Sequence, residues 1–262
     1  MRTGIVVLGR DSRSPGCREL CDRMVRGLRG LGYRSVQAGY HRGEPFVREV
    51  ILSMYREGVD SFAVIPMLAS EGRLSTWIMP GEVGIPDCCG SWMIIDGHDV
   101  AVRFSTVPGV DPGLMGDVVA SLGNDTRRGI LVLYRGSSLR MAEENAGRYA
   151  ERIREMGFGV SIASVADGAG PAMAQMSSLR DSGCGRITIL PLTMALEGRI
   201  GETVRALCDA EECVDVLPPL SSHPSFMDAV VRRVPDEWDR ERSEERKGPV
   251  RGRFVQDGMP TS

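Results

Sequence analysis

The sequence predicts an α/β fold of two tandem βαβα repeats, each a parallel sheet flanked by helices, facing one cleft. Three observations carry that expectation. Short β-branched runs alternate with longer amphipathic stretches along most of the chain. Strand-plus-loop segments recur at one spacing. The 262 residues are 42% hydrophobic, enough for well-buried sheets.

The recurrence is read directly. Gly4-Ile5-Val6-Val7-Leu8-Gly9-Arg10-Asp11-Ser12 lies over Gly129-Ile130-Leu131-Val132-Leu133-Tyr134-Arg135-Gly136-Ser137, an offset of 125 residues. The same offset sets Ala63-Val64-Ile65-Pro66-Met67 over Thr188-Ile189-Leu190-Pro191-Leu192. After a one-residue gap, Glu71-Gly72-Arg73-Leu74 matches Glu197-Gly198-Arg199-Ile200. A chance match would not keep its register over sixty residues, so the chain is read as repeat 1 (1–124), repeat 2 (125–234) and a tail (235–262).

Each element has a local cause. A strand over 4–8 leads to Ser14, which can cap a helix, and Pro15, which can open it. Cys17, Leu20, Cys21, Met24, Val25 and Leu28 then fall on one stripe of that helix. Cys17 and Cys21 are one turn apart on the core side, where packing outweighs metal binding as their role. A strand over 35–40, a helix from about Pro45, a buried strand over 61–65, a fourth strand over 92–95 and a closing helix over 112–122 complete the half. The second half repeats the order: strand 130–134, helix 140–156, strand 159–165, helix 171–181, strand 186–190, helix 200–209, strand 213–217 and helix 224–233. From Pro235 the charged run has no apolar periodicity and is expected to be disordered, with Trp238 and Phe254 its only large apolar residues of note.

Composition excludes several classes. The seven cysteines follow no zinc or disulfide spacing, so buried thiols in a reducing cytoplasm are expected. The sequence begins without a signal-like leader, and no apolar run approaches membrane-spanning length. A net charge of −3 with interspersed signs gives no nucleic-acid footprint. Lys247 is the only lysine, so the choice of arginine at any position carries little information, although the charge does.

In open parallel sheets, ligands bind outside the carboxyl ends of the strands. Each half contributes an Arg-x-Ser loop there (Arg10 and Ser12; Arg135 and Ser137) and a Glu-Gly-Arg loop (Glu71 and Arg73; Glu197 and Arg199). Pseudo-twofold packing would gather four guanidiniums, two hydroxyls and two carboxylates into one cleft.

At these residues the chain resembles the CbiX-type sirohydrochlorin cobaltochelatases and nickelochelatases, of the class II chelatase superfamily. The resemblance rests on Leu8-Gly9-Arg10-Asp11-Ser12-Arg13, Gly43-Glu44-Pro45, Glu57-Gly58-Val59, the stretch from Pro66 to Pro80, and Leu220-Ser221-Ser222-His223-Pro224. It spans nearly all of residues 1–233, and the two-repeat layout is similar to the family's long form. It implies a metal chelatase, a lyase of cobalamin-type tetrapyrrole biosynthesis, with Co²⁺ or Ni²⁺ as substrate and no bound cofactor.

The family's loops carry histidines where this chain has Arg10 and a position near Arg73. The only histidines here are His41, His98 and His223, none on those loops. A guanidinium can neither ligate Co²⁺ or Ni²⁺ nor accept a proton near neutrality. It does bind carboxylates bidentately, and sirohydrochlorin-type rings carry acetates and propionates.

Three functions remain open. One is metal insertion with Glu71 and Glu197 as catalytic carboxylates. Another is a non-catalytic or regulatory relative holding an anionic tetrapyrrole through Arg10, Ser12, Arg73, Arg135, Ser137 and Arg199. The third is a site recruited to some other anionic metabolite. Each glutamate could equally serve a structural role by pairing with a nearby arginine. The partner is expected to be an anionic small molecule, not nucleic acid or membrane, bound by a cytoplasmic monomer resembling a fused dimer.

Overall fold

The computed structural model describes residues 2–85, 92–212 and 214–235. In the first half, β1 (Thr3–Asp11) is followed by α1 (Pro15–Gly30), β2 (Val36–Arg42), α2 (Val47–Arg56), β3 (Ser61–Pro66), a π-helical turn (Leu74–Ile78) running into α3 (Met79–Val83), β4 (Trp92–Ile95), β5 (His98–Phe104) and α4 (Pro112–Ala120). The second half gives β6 (Arg128–Tyr134), α5 (Met141–Glu155), β7 (Gly159–Ser164), α6 (Gly170–Asp181), β8 (Arg186–Leu192), α7 (Gly198–Ala210), β9 (Val214–Val216) and α8 (Phe226–Val231).

The strand orders are β2-β1-β3-β5-β4 and β7-β6-β8-β9, so the two sheets share one topology apart from the added edge strand. Their registers correspond as well. Gly9 lies beside Tyr40 in the first sheet, and Tyr134, its counterpart at the offset of 125, lies beside Ser164 in the second.

Alternation along the central strands explains how one chain fills three cores. Ile5 and Val7 of β1 and Ile130 and Val132 of β6 point to a core common to both halves. Val6 and Leu8 face a second core with α2 and α3. Leu131 and Leu133 face a third, under α6 and α7. The shared core also contains the buried faces of α1, α4, α5 and α8. Its helices pack crosswise: α4 of the first half lies on α5 of the second, and α1 on α8. Each fully buried Ile, Leu or Val there contributes roughly 1.5–3 kcal/mol.

α1 follows its expected causes: the Ser14 hydroxyl accepts the Cys17 N–H at 3.2 Å, Pro15 opens the helix, and Leu20, Cys21, Met24, Val25 and Leu28 are buried. The first half departs from expectation in two places. The strand over 92–95 is an antiparallel edge paired with β5, and β5, which the periodicity did not single out, occupies the parallel position beside β3. The sequence carried a signal for this. Asp96 (φ 51°) and Gly97 (φ 80°) are the central residues of a tight Asp-Gly turn between the two strands. The 74–83 helical segment is the second departure, since its five-residue pieces are too short to show a period.

In the second half, α7 begins at Gly198 rather than near 200, and α8 is shorter than the expected 224–233. Cys88, Cys89, Cys213 and the expected tail from 236 onward, with Trp238 and Phe254, lie outside the described residues. Cys17, Cys21, Cys184 and Cys208 are free thiols. No helix among the described residues is long and apolar enough to cross a membrane.

Candidate functional site

The expected loops meet across the two halves crosswise. The strand-one loop of the first half docks on the strand-three loop of the second: Glu197 accepts a hydrogen bond from the Ser14 hydroxyl through Oε2 and from the Gly16 N–H, at 2.6 Å, through Oε1. Its negative charge therefore sits at the N-terminus of α1, where the helix dipole favours it. The mirror contact sets the backbone of Gly72 against Ser137, whose Oγ would stand 3.1 Å from a β-carbon at position 72. The strand-three loop of the first half is further held by Asn145 of α5, which donates to the Ala69 carbonyl at 3.2 Å.

This geometry differs from a cleft lined equally by four arginines. Arg73, Arg135 and Arg199 are exposed, and Arg199 donates to the Ala166 carbonyl at 2.7 Å rather than pairing with Glu197. Glu71 is partly buried, and its charge acts on the Arg233 guanidinium. Ser137 is exposed and accepts the Leu139 N–H at 3.2 Å. Ser12 is buried, its hydroxyl filling the space a β-carbon at Gly43 would need, and the φ of 75° at Gly43 is one that L side chains rarely adopt. Among the described residues, no three His, Cys, Asp or Glu side chains stand close enough to hold a metal ion together.

Arg10 is the enclosed arginine of the four. It lies near the end of β1 rather than in a loop and is partly buried, and its charge is felt by Arg42, Asp11 and Cys17. Burial and the neighbouring Arg42 guanidinium both push its pKa below the usual arginine value, against the opposing pull of Asp11 and Cys17. Asp11 is engaged elsewhere: Arg13 grips it at 3.0 Å through both Nε and Nη2, and this holds the carboxyl down to about 2.

Cys17 stands beside this group at the third position of α1. A hydrogen bond from Cys21, aided by the backbone of Asp11 and Arg10 and opposed by burial, lowers its thiol to about 6. Cys21 is pushed up by the same shared bond and by burial. Cys17 is therefore expected to alkylate at a rate that levels off by about pH 7. Cys208, whose thiol is raised by burial and Asp209, should still accelerate beyond about pH 9. A mass-mapped iodoacetamide time course across pH checks this, and equal profiles for the two thiols would contradict it.

At the carboxyl ends of β1 and β2 lies a shallow, open pocket of about 570 Å³ lined by Ser12, Arg13, Arg18, His41, Arg42, Gly43, Glu44 and Phe46, with Arg10 outside its lining. His41, the penultimate residue of β2, is held from behind, with Nδ1 2.8 and 2.6 Å from the two carboxylate oxygens of Glu82 on α3. Sequence reading named neither Arg18, Arg42, His41 nor Glu82 as a site residue. His41 and Arg42 end a strand at the ligand-binding edge of the sheet and could have been found on that ground. Glu82 could not, because only the tertiary fold brings it to a residue 41 positions earlier. His223, read as part of a His-Pro turn, does accept the Ser225 N–H there at 3.3 Å.

Comparison with known proteins adds three findings. Residues 129–237 match the family model described as CbiX. No curated protein sequence matches the chain. Among solved structures, the sirohydrochlorin chelatase SirB from Bacillus subtilis subspecies spizizenii, in complex with cobalt, is similar at a TM-score of 0.67 and 15% identity, covering 95% of this chain and 98% of that one. CbiX, described as the terminal enzyme for siroheme biosynthesis in denitrifying bacteria, matches at a TM-score of 0.57 and 16% identity, over 89% and 98% of the two chains. A multi-domain protein from Deinococcus radiodurans with structural similarity to chelatases and two additional novel domains matches at 0.66 and 21% identity. That match covers 88% of this chain but only 54% of the other, so the chain spans about half the length of that relative.

Proposed function

We propose, from the premise that residues 129–237 are CbiX-family sequence and that the chain has the fold of sirohydrochlorin chelatases, that it is a chelatase-type protein holding an anionic tetrapyrrole at the strand ends of its first half. The observation that carries this reading is Arg10, a guanidinium partly withdrawn from water and repelled by Arg42, with only the weaker pull of Cys17 and of Asp11, itself gripped by Arg13, to oppose this. A ligand carboxylate near these strand ends would offset the repulsion between Arg10 and Arg42, and Arg13, Arg18 and Arg42 line the adjoining pocket as further donor groups. Arg73, Arg135, Arg199 and Ser137 lie on the outer loops and serve the remaining carboxylates more weakly. Co²⁺ or Ni²⁺ would be the substrate for insertion.

A second reading, a carrier or regulatory relative that binds the ring without inserting metal, is favoured by Glu197, whose carboxylate is committed to Ser14 and Gly16 and so is not free to act as a base. Titration of the purified protein with sirohydrochlorin, followed by visible absorbance with and without Co²⁺, separates the readings. A saturable shift with faster appearance of the metallated spectrum supports insertion, and a shift without acceleration supports the carrier. With no shift at all, the tetrapyrrole leaves the account.

A further inference from the structure

Two thiols touch where the halves meet. Cys17 and Cys21, one turn apart on α1, share a hydrogen bond. Their surroundings differ. Cys21 is fully buried, and its Sγ together with the Tyr40 ring fills the space that a β-carbon at Gly9 would need, so it is pinned in the shared core. Cys17 is only partly buried and lies in the first turn of α1, where the Ser14 hydroxyl accepts its N–H. Its sulfur accepts hydrogen bonds from the backbone of Asp11 and Arg10, and the Arg10 guanidinium is near enough for the two charges to act on each other. A helix N-terminus, backbone donors and a neighbouring guanidinium all favour a thiolate there, and only burial and the Glu197 carboxylate across the seam oppose it. Core packing accounts for Cys21 but not for the polar cradle around Cys17.

We propose that Cys17 is a modification site for hydroperoxides, with Cys21 as the thiol that resolves the oxidised form into a disulfide within α1. The inference does not depend on the tetrapyrrole reading above. The Cys17 thiolate attacks one peroxide oxygen: an S–O bond forms, the O–O bond breaks with its electron pair on the departing oxygen, and that oxygen takes a proton from water. Cys17 is left as a sulfenic acid. The Cys21 sulfur then displaces the hydroxyl from Cys17, the S–S bond forms, and the Cys21 proton leaves with that hydroxyl as water. Over both steps the pair gives up two electrons and the peroxide takes them. One helical turn of four residues rises about 6 Å, inside the span of about 4.4–6.8 Å that disulfides bridge between α-carbons. The β-carbons must still approach, and with Cys21 pinned it is the first turn of α1 that gives. That turn and its cap carry Gly16 and Ser14, the donors to Glu197, so closing the bond also disturbs the contact between the halves.

The test treats the reduced full chain with hydrogen peroxide at pH 7, with and without dimedone, and maps each cysteine peptide by mass. Wild type should gain an internal Cys17–Cys21 link, seen as the loss of two hydrogens and reversed by dithiothreitol. Cys17 should be consumed at least about fivefold faster than Cys208. C21A should hold a dimedone adduct on Cys17 in place of the link, and C17S should leave Cys21 reduced. Oxidation of Cys17 no faster than that of Cys208 overturns the inference, as does pairing of Cys17 with any cysteine other than Cys21. So does wild-type protein that accumulates as much dimedone adduct as C21A and no link. If C21A fails to melt cooperatively, the presence or absence of the link in wild type decides.

Discussion

Replacing Asp111 with alanine is expected to lower the unfolding free energy by about 3–5 kcal/mol, the usual cost of stripping one partner from a buried ion pair. Asp111 caps α4 by accepting the Leu114 N–H at 3.0 Å, and the same carboxylate receives Arg232 at 2.5 and 3.1 Å and Arg233 at 3.0 Å. Arg233 is buried and also donates to the carbonyls of Thr106, Val107 and Ala229. Without Asp111 its charge would be left inside the protein with only the weaker pull of Glu71 to offset it. The clamp joins the closing helix of the first half to the end of α8, so its loss weakens the seam between the halves rather than one element.

Burial alone would push the Asp111 carboxyl up, but the hydrogen bonds from Arg232, the Leu114 amide and Arg233 outweigh it and hold the group well below the ordinary carboxylate range. A depressed folded-state pKa stabilises above the unfolded value, about 4, and loses that contribution as pH falls below it. Urea denaturation should therefore show the full difference between wild type and D111A at neutral pH and a shrinking one in strong acid. D125A, which breaks only the exposed pair with Arg127, should stay within about 0.5 kcal/mol of wild type. Equal effects from the two variants would show that the Asp111 cluster does not hold the seam.

The second large effect is on binding. The double variant R10A/R42A is expected to raise the sirohydrochlorin Kd about 10²-fold or more, since each charge-assisted hydrogen bond to a carboxylate is worth about 1.5–3 kcal/mol. R73A, R135A and R199A, at exposed positions, should each cost about fivefold or less. Wild-type affinity should fall with added salt, and the double variant's salt dependence should be shallower. A uniform loss across all five arginines would instead favour the evenly lined cleft expected from the repeat alone.

That contrast shows where the sequence was legible. The duplication and the succession of central strands and long helices along the chain follow from apolar period and spacing, because these elements advertise their buried faces, whereas the crosswise docking of the loops does not. The 74–83 helical segment has no such face to show, and β5 follows β4 so closely that the pair reads as one apolar stretch unless the Asp-Gly turn is given its weight. The site was legible only in part. Loop position identified Arg10, yet what distinguishes it from Arg73, Arg135 and Arg199 is burial and the nearness of Arg42, which no spacing encodes. Glu197 recurs beside an arginine in both halves, but it bonds to Ser14 and Gly16 across the seam.

The matching registers of the two sheets have one more consequence. With Tyr40 at the place held by Ser164 in the other half, His41 corresponds to Val165 and Arg42 to Ala166. A symmetric pair of identical chains would have to carry every site residue twice and accept the same chemistry at both edges. Fusing the copies into one polypeptide lifts that obligation. The edge of the first half carries an imidazole and a guanidinium where its twin carries a buried valine and an alanine, so the two halves are free to differ in a way that the copies of a true dimer cannot.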